Sequence, residues 1–333
     1  MILSRFLRHG AAALTLSSLL TLASCKDQAA SAPGTEGASP AVAATPGAGG
    51  ATSSAAFDKP LKATGALSVR IVTNNASPFW SAADKGMEQG ITESPETEAK
   101  RVTPSGASPT HADQKKTFEE AVASGANGVA VTPIDGEAFA PVIDAAIDKG
   151  VPVICFDSDS AKSKRLVYLG TNNYEAGKSA GEAALKLLPS GGKMVAFVGN
   201  MSAQNARDRY KGFLDATKGK ITMLQDPFED QGDANKGTTN AKDAITKYAG
   251  KIDGFLGLYS YNAPGIAKAV ESAGLTGKVK IVAFDGDPQT LARLQSKTID
   301  AAIVQKPYEF GRLSVKLLNL INRKGLKAAM AEL

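Results

Sequence analysis

From Leu67 onward, short apolar runs alternate with longer stretches in which apolar residues recur at helical spacing. The runs Leu67–Val72, Lys100–Val102, Gly128–Val131, Val151–Phe156 and Leu166–Leu169 read as strands, as do Met194–Val198, Ile221–Leu224, Phe255–Leu258, Ile281–Phe284 and Ala301–Val304. Between them, Phe79–Ile91, Ala112–Ala123, Ala138–Asp148, Tyr174–Leu188 and Ala203–Ala216 read as helices, followed by Ala234–Tyr248, Pro264–Ala273, Pro288–Gln295 and Tyr308–Ile321. Thr110, with Asp113 three residues on, has the spacing of a capping box. Mostly apolar strands separated by helices predict an α/β fold in which parallel sheets are covered on both faces. Ten strands strain one open sheet, so the pattern predicts two Rossmann-like lobes with a ligand cleft between them.

The beginning of the chain has a different pattern. Arg5, Arg8 and His9 precede an apolar run, Ala11–Ala23, that is too short to span a bilayer, so residues 1–24 read as a secretory signal. Leu22-Ala23-Ser24-Cys25 has the form of a bacterial lipobox, which would make Cys25 a lipidated N-terminus. The following stretch is almost wholly Ala, Gly, Ser, Pro and Thr, too poor in large apolar groups to offset the entropy of ordering it. Residues 25–65 are therefore expected to be an anchor and flexible tether, leaving about 270 residues for two domains. With Cys25 assigned to lipid, Cys155 has no partner for a disulfide, and its apolar run Val151–Phe156 marks it as a buried, inert thiol. The formal charge is +5, or about +3 without Arg5 and Arg8, which is too weak a surplus for a nucleic-acid footprint.

Ligands of open parallel sheets bind beyond the carboxyl ends of the strands. The residues at those ends form a consistent polar and aromatic set. Asn75, Phe79 and Trp80 follow the first strand, Asp157 follows Phe156, and Arg207 lies in the loop and helix start after Val198. Tyr259 and Tyr261 follow Leu258, Asp285 follows Phe284, and Gln305 follows Val304. The rings suit stacking on a sugar face, and the carboxylates, amides and arginine suit its hydroxyls.

With these motifs in hand, the chain resembles the periplasmic sugar-binding proteins of bacterial ABC importers, in their type I, ribose/galactose-like branch. The resemblance spans roughly Leu67 to Ile321 and rests on Asn74-Asn75 with Pro78-Phe79-Trp80, Val131-Thr132-Pro133, Phe156-Asp157 and Gly170–Gly177. Asn205–Arg209, Phe284-Asp285-Gly286 and Val304-Gln305-Lys306-Pro307 complete it. It implies that rings at Phe79 and Trp80 stack on a monosaccharide or polyol, and that Asn75, Asp157, Arg207, Asp285 and Gln305 bond its hydroxyls. It further implies that the lobes close on the ligand and that the closed form docks on the transmembrane subunits of an ABC permease. Lobes of 66–171 plus 306–333 and of 172–305 follow, with crossings near Thr171-Asn172 and Gln305–Pro307. Two departures stand out. Tyr259-Ser260-Tyr261-Asn262 replaces the Asn-Asp pair of ribose binders, and no strand signal follows the last helix, where the family adds one.

An enzyme is disfavoured: the chain lacks a Gly-x-Gly-x-x-Gly opening and a Walker loop, and His111 is the single histidine past the signal. No cofactor or metal is expected. A sensor that presents its closed form to a chemoreceptor or kinase would have the same cleft, whereas a DNA-binding regulator needs a headpiece that residues 26–56 cannot form. The expectation is an exported monomer, held by lipid at the periplasmic or extracellular face of a bacterial membrane.

Overall fold

The computed structural model describes residues 42–46, 55–106 and 108–333. Residues 1–24, expected to be a secretory signal, and Cys25 lie outside the described residues. The first sheet has six strands: β1 (Val42–Pro46), β2 (Leu67–Val72), β3 (Thr97–Val102), β4 (Gly128–Val131), β5 (Val153–Phe156) and β6 (Val167–Thr171). They lie in the order β1-β6-β5-β4-β2-β3. The helices packed with this sheet include α1 (Trp80–Glu93), α2 (His111–Ala123) and α3 (Ala140–Asp148). The second sheet holds β7 (Gly192–Val198), β8 (Ile221–Met223), β9 (Phe228–Glu229), β10 (Gly254–Gly257), β11 (Lys280–Phe284) and β12 (Ala301–Ile303), in the order β12-β11-β10-β7-β8 with β9 beside β7. Around it lie α4 (Asn173–Leu187), α5 (Gln204–Thr217), α6 (Ala234–Lys247), α7 (Asn262–Ser272) and α8 (Pro288–Gln295). The chain then returns as α9 (Pro307–Lys324) to cover the first sheet, and the short helix α10 (Leu326–Ala331) follows it.

The central strands explain the architecture. Every residue of β4, β5 and β10 is buried, as expected for strands covered on both faces, and apart from β1 every strand pairs in parallel. One core cluster serves the first lobe, including Phe118, Phe139, Phe156 and Leu317. In the second lobe the two faces of the sheet have separate clusters, one around Phe213 and Phe284 and the other around Phe197 and Phe255. Cys155 is buried in the first core with no disulfide, and burial pushes its thiol far above the usual range. Thr110 and Asp113 form the capping box, the Thr110 N–H donating to Asp113 Oδ2 at 2.9 Å and the Asp113 N–H to Thr110 Oγ1 at 3.2 Å.

The stretch expected to be a tether is partly ordered, which corrects that expectation. Val42–Pro46 pairs antiparallel with β6, Ala44 opposite Leu169, because backbone groups complete an open sheet edge whatever side chains they carry. Phe57 is 1% exposed and sits in the first core, and its carbonyl accepts from the Leu326 N–H at 2.7 Å. It is the large apolar side chain in a segment otherwise poor in them.

Helices α4 and α5 approach closely through two glycines. A Cβ at Gly177 would lie 2.1 Å from the carbonyl oxygen of Arg209, and one at Gly212 would lie 2.0 Å from that of Tyr174. This contact fixes where α5 presents Asn205 and Arg209 to the cleft.

Candidate functional site

Beyond the strand ends, the two lobes face each other across a cleft lined by polar and aromatic side chains. Of the residues singled out from sequence, Asn75, Phe79, Trp80, Asp157, Tyr259, Tyr261, Asp285 and Gln305 line it together. The lobes are in contact across it: Asn205 Nδ2 lies 3.4 Å from Asp157 Oδ2, and Ser202 Oγ lies 3.4 Å from the carbonyl oxygen of Ile134.

Two aspartates hold matching positions in the two lobes. Each follows a phenylalanine at the end of a strand, and each has a left-handed backbone, with φ of 59° at Asp157 and 68° at Asp285. Such a conformation costs a non-glycine residue on the order of 1–3 kcal/mol, and aspartate tolerates it better than most. In both cases the N–H donates to the neighbouring strand, Asp157 to Leu169 O at 3.0 Å and Asp285 to Ile303 O at 2.8 Å. Tyr168 Oη donates to the Asp157 carbonyl at 2.8 Å. The strain turns both carboxylates toward the cleft, where Asp157 Oδ2 accepts from Thr132 Oγ1 at 3.1 Å and Asp285 Oδ1 accepts from Gln305 Nε2 at 3.0 Å.

Burial raises the pKa of Asp157 to about 6, against the lowering pull of the Arg209 charge and with a further push from Asp285. Asp285 is raised by burial too, opposed by Arg209 and by hydrogen bonds from Gln305. A third carboxylate, Asp230, lies behind the tyrosines and is raised to about 6 by burial. It accepts from Gly232 N at 2.9 Å, Tyr261 Oη at 3.0 Å and Asn262 Nδ2 at 2.8 Å.

The structure brings Arg209 to the cleft lining and not Arg207, the arginine expected there from sequence. Arg207 turns back on its own loop, donating to the Met201 carbonyl at 3.2 Å, to the Ser202 carbonyl and to Gln204 Oε1 at 2.8 Å. Positions two apart on a helix point to different sides, so Arg209 faces inward when Arg207 does not. Arg209 is 1% exposed; its Nε donates to Asn173 Oδ1 at 2.8 Å, its Nη1 to Leu258 O at 2.8 Å, and its guanidinium lies 4.7 Å from the Phe284 ring centroid. Its Nη2 has no hydrogen-bond partner among the described residues. Asn205, four residues earlier on the same face, lines the cleft beside it, and Asn74, Ser77 and Ser260 were the other lining residues that sequence reasoning left out. The i, i+4 spacing of Asn205 and Arg209 was the signal that could have found them.

The rings divide their roles. Trp80 is 2% exposed and belongs largely to the first core; its indole N–H donates to Asn75 Oδ1 at 3.2 Å, and Phe79 packs edge-on at 4.8 Å. Tyr259 Oη donates to Asn205 Oδ1 at 2.9 Å and Tyr261 Oη to Asp230, so both second-lobe hydroxyls are committed. Gly199 makes room for them: a Cβ there would lie 2.5 Å from Tyr261 Oη and 2.7 Å from Tyr259 Cε2. Gly199→Ala is therefore expected to displace both rings, weaken ligand binding about tenfold and cost about 1–3 kcal/mol of stability, in calorimetry and thermal denaturation run side by side.

Among the described residues no group of His, Cys, Asp and Glu has the makings of a metal site. The lining offers hydrogen-bonding groups, charge and ring faces.

Comparison with known proteins agrees with this geometry. Residues 69–325 match the family model described as a periplasmic binding protein domain. The ribose import binding protein of Bacillus subtilis is 24% identical over 251 residues, covering 75% of this chain and 78% of that protein. The D-allose-binding periplasmic protein of Escherichia coli is 26% identical over 260 residues, covering 73% and 80%. Among solved structures, a glucose-galactose binding protein from Geobacillus stearothermophilus superposes with a TM-score of 0.73 at 27% identity, covering 78% of this chain and 92% of that one. An ABC transporter solute-binding protein from Burkholderia graminis in complex with D-arabinose gives 0.74 at 25%, covering 80% and 92%. The chain belongs to the periplasmic binding protein domain family, with the type I two-lobed fold, and is a binding protein and not an enzyme.

Proposed function

We propose that this chain is the solute-binding component of an ABC-type sugar importer, capturing a monosaccharide or closely related polyol and delivering it to the membrane permease. In this reading it is exported, works as a monomer, and is anchored through lipid on Cys25 at the periplasmic or extracellular face of a bacterial membrane. One observation carries the binding role: Asn74 Oδ1 of the first lobe and Arg209 Nη2 and Gln305 Oε1 of the second are buried without hydrogen-bond partners among the described residues, and all three residues line a cleft walled by aromatic rings. Buried polar atoms are normally paired, so atoms from two lobes left open at one place call for one guest that satisfies them together. The names of the relatives, for ribose and allose, point to the same class.

Capture works by population shift. The ligand favours the closed arrangement only as far as it binds that form better than the open one, and contacts from both lobes supply the difference. A thermal-shift screen with D-ribose, D-arabinose, D-xylose, D-allose, D-glucose and D-galactose tests the reading. At a ligand concentration 100 times Kd, the cognate compound stabilises the protein by about 2.7 kcal/mol and raises Tm by several degrees. A flat response to every sugar and polyol, together with a shift by amino acids or peptides, contradicts it.

A further inference from the structure

We propose that Tyr168 and Asn173 are positioning residues for capture: through their side chains the Arg209 guanidinium of the second lobe is tied to the Asp157 backbone of the first. The tie biases the ligand-free protein toward the closed arrangement. This deepens the capture reading above and rests on it for the roles of Asp157 and Arg209.

The two residues flank the point where the chain leaves the first sheet. Strand β6 ends at Thr171 and helix α4 begins at Asn173, so Tyr168 and Asn173 stand in different lobes although only five positions separate them. Arg209 Nε donates to Asn173 Oδ1 at 2.8 Å, and Asn173 Nδ2 donates to Tyr168 Oη at 3.1 Å. Tyr168 Oη in turn donates to the Asp157 carbonyl at 2.8 Å, with the Thr171 carbonyl as a second acceptor at 3.3 Å. The series thus begins at one cleft residue and ends at another, both in the lining.

Each member has one permitted role. A guanidinium only donates, so the Asn173 amide must turn its oxygen to Arg209 and its NH2 to Tyr168. The tyrosine hydroxyl, accepting from that NH2, keeps its own proton for a carbonyl. A series that starts at a cation and runs in one direction polarises every bond along it. Arg209, Asn173 and Asp157 are all buried, so a broken link leaves a polar group without water to replace its partner.

The backbone is shaped to admit this tie. A Cβ at Gly170 would lie 2.1 Å from Tyr168 Oη, so the ring reaches the crossing because position 170 is glycine. The contacts between the lobes at Asn205–Asp157 and Ser202–Ile134 are longer, at 3.4 Å each. Opening the lobes about Thr171-Asn172 turns Asn173 away from Tyr168. Their bond already stands near the upper end of N–H···O distances, about 3.2 Å, so a small rotation breaks it. A tie at the pivot therefore sets the angle at which Asp157 and Arg209 face each other, and less of the ligand's binding energy is spent on closure.

Small-angle X-ray scattering on the ligand-free full chain tests this with Tyr168→Phe, which keeps the ring and removes the hydroxyl, and with Asn173→Ala. Thermal denaturation run beside it sets a temperature at which each variant is folded. Both variants are expected to show a larger radius of gyration than the wild type. Calorimetry with D-ribose, D-allose and D-galactose is expected to show that a sugar bound by the wild type binds each variant about fivefold more weakly, the worth of one hydrogen bond. At saturation with that sugar, the variants are expected to return to the wild type's bound radius. Scattering unchanged in both variants, even with a lowered Tm, overturns the inference and makes the two residues merely structural. So does an unchanged affinity in a variant that scatters as more open. If none of the three sugars binds the wild type, the sugar reading loses its support while the scattering comparison still decides the tie.

Discussion

Arg209→Ala is expected to weaken ligand capture by about 2–5 kcal/mol, roughly thirtyfold or more in Kd. The free Nη2 is lost to the ligand, and the charge that opposes Asp157 and Asp285 is lost as well. Arg209→Met, which keeps an apolar stem over Phe284, shows the same loss, so collapse of packing does not account for it. Arg207→Ala is the control. Its guanidinium hydrogen-bonds the loop at Met201, Ser202 and Gln204, and its removal is expected to change affinity by about threefold or less. Calorimetry on the three variants separates the two arginines; equal losses at both positions would contradict the assignment.

The second large effect has opposite signs for stability and function. The carboxyl of Asp157 titrates near 3.8 when unperturbed and near 6 when folded. The native state therefore holds a proton that the unfolded chain has released between about pH 4 and pH 6. Stability is full below that window, falls as pH rises through it, and stays reduced above it. Asp157→Asn mimics the protonated form. The substitution is expected to stabilise the ligand-free protein at pH 7 by about 1–3 kcal/mol, two pH units being worth close to the upper figure. Asparagine tolerates the left-handed backbone at this position as aspartate does. The same change removes an ionised acceptor from the cleft and weakens capture tenfold or more. Thermal denaturation at pH 4.5 and pH 7 gives the check: the variant's advantage is large at pH 7 and small at pH 4.5. The groups acting on this carboxyl are Arg209, Asp285 and Thr132, so the window is read from this single variant against the wild type. A destabilised Asp157→Asn that still binds ligand would mean that the carboxylate is structural.

Much of this arrangement was legible in the sequence. The strands at Gly128–Val131 and Ile281–Phe284 and the helix at Pro288–Gln295 stand out because buried parallel strands are apolar throughout and proline suits a helix's first turn. The rule that ligands gather at strand ends brought eight of the chosen residues into one cleft. What escaped depended on geometry that pattern does not encode. The two-residue strand β9 has no periodicity of its own and exists because Phe228 packs on Phe197 with centroids 5.4 Å apart. Strand β1 is a backbone pairing in a segment whose composition signals a coil. Arg207 and Arg209 have the same chemistry, and only the rotation of α5, set by its contact at Gly177 and Gly212, distinguishes them.

The most direct measurement is the crystal structure of the protein with its cognate ligand. The ligand is expected between the tips of the two sheets, with Asp157 of the first lobe and Arg209 of the second both within hydrogen-bonding distance of it, and with a ring of Phe79 or Tyr259 against its face. A ligand held by one lobe alone, or seated away from Asp157 and Arg209, would contradict capture by a bridged cleft.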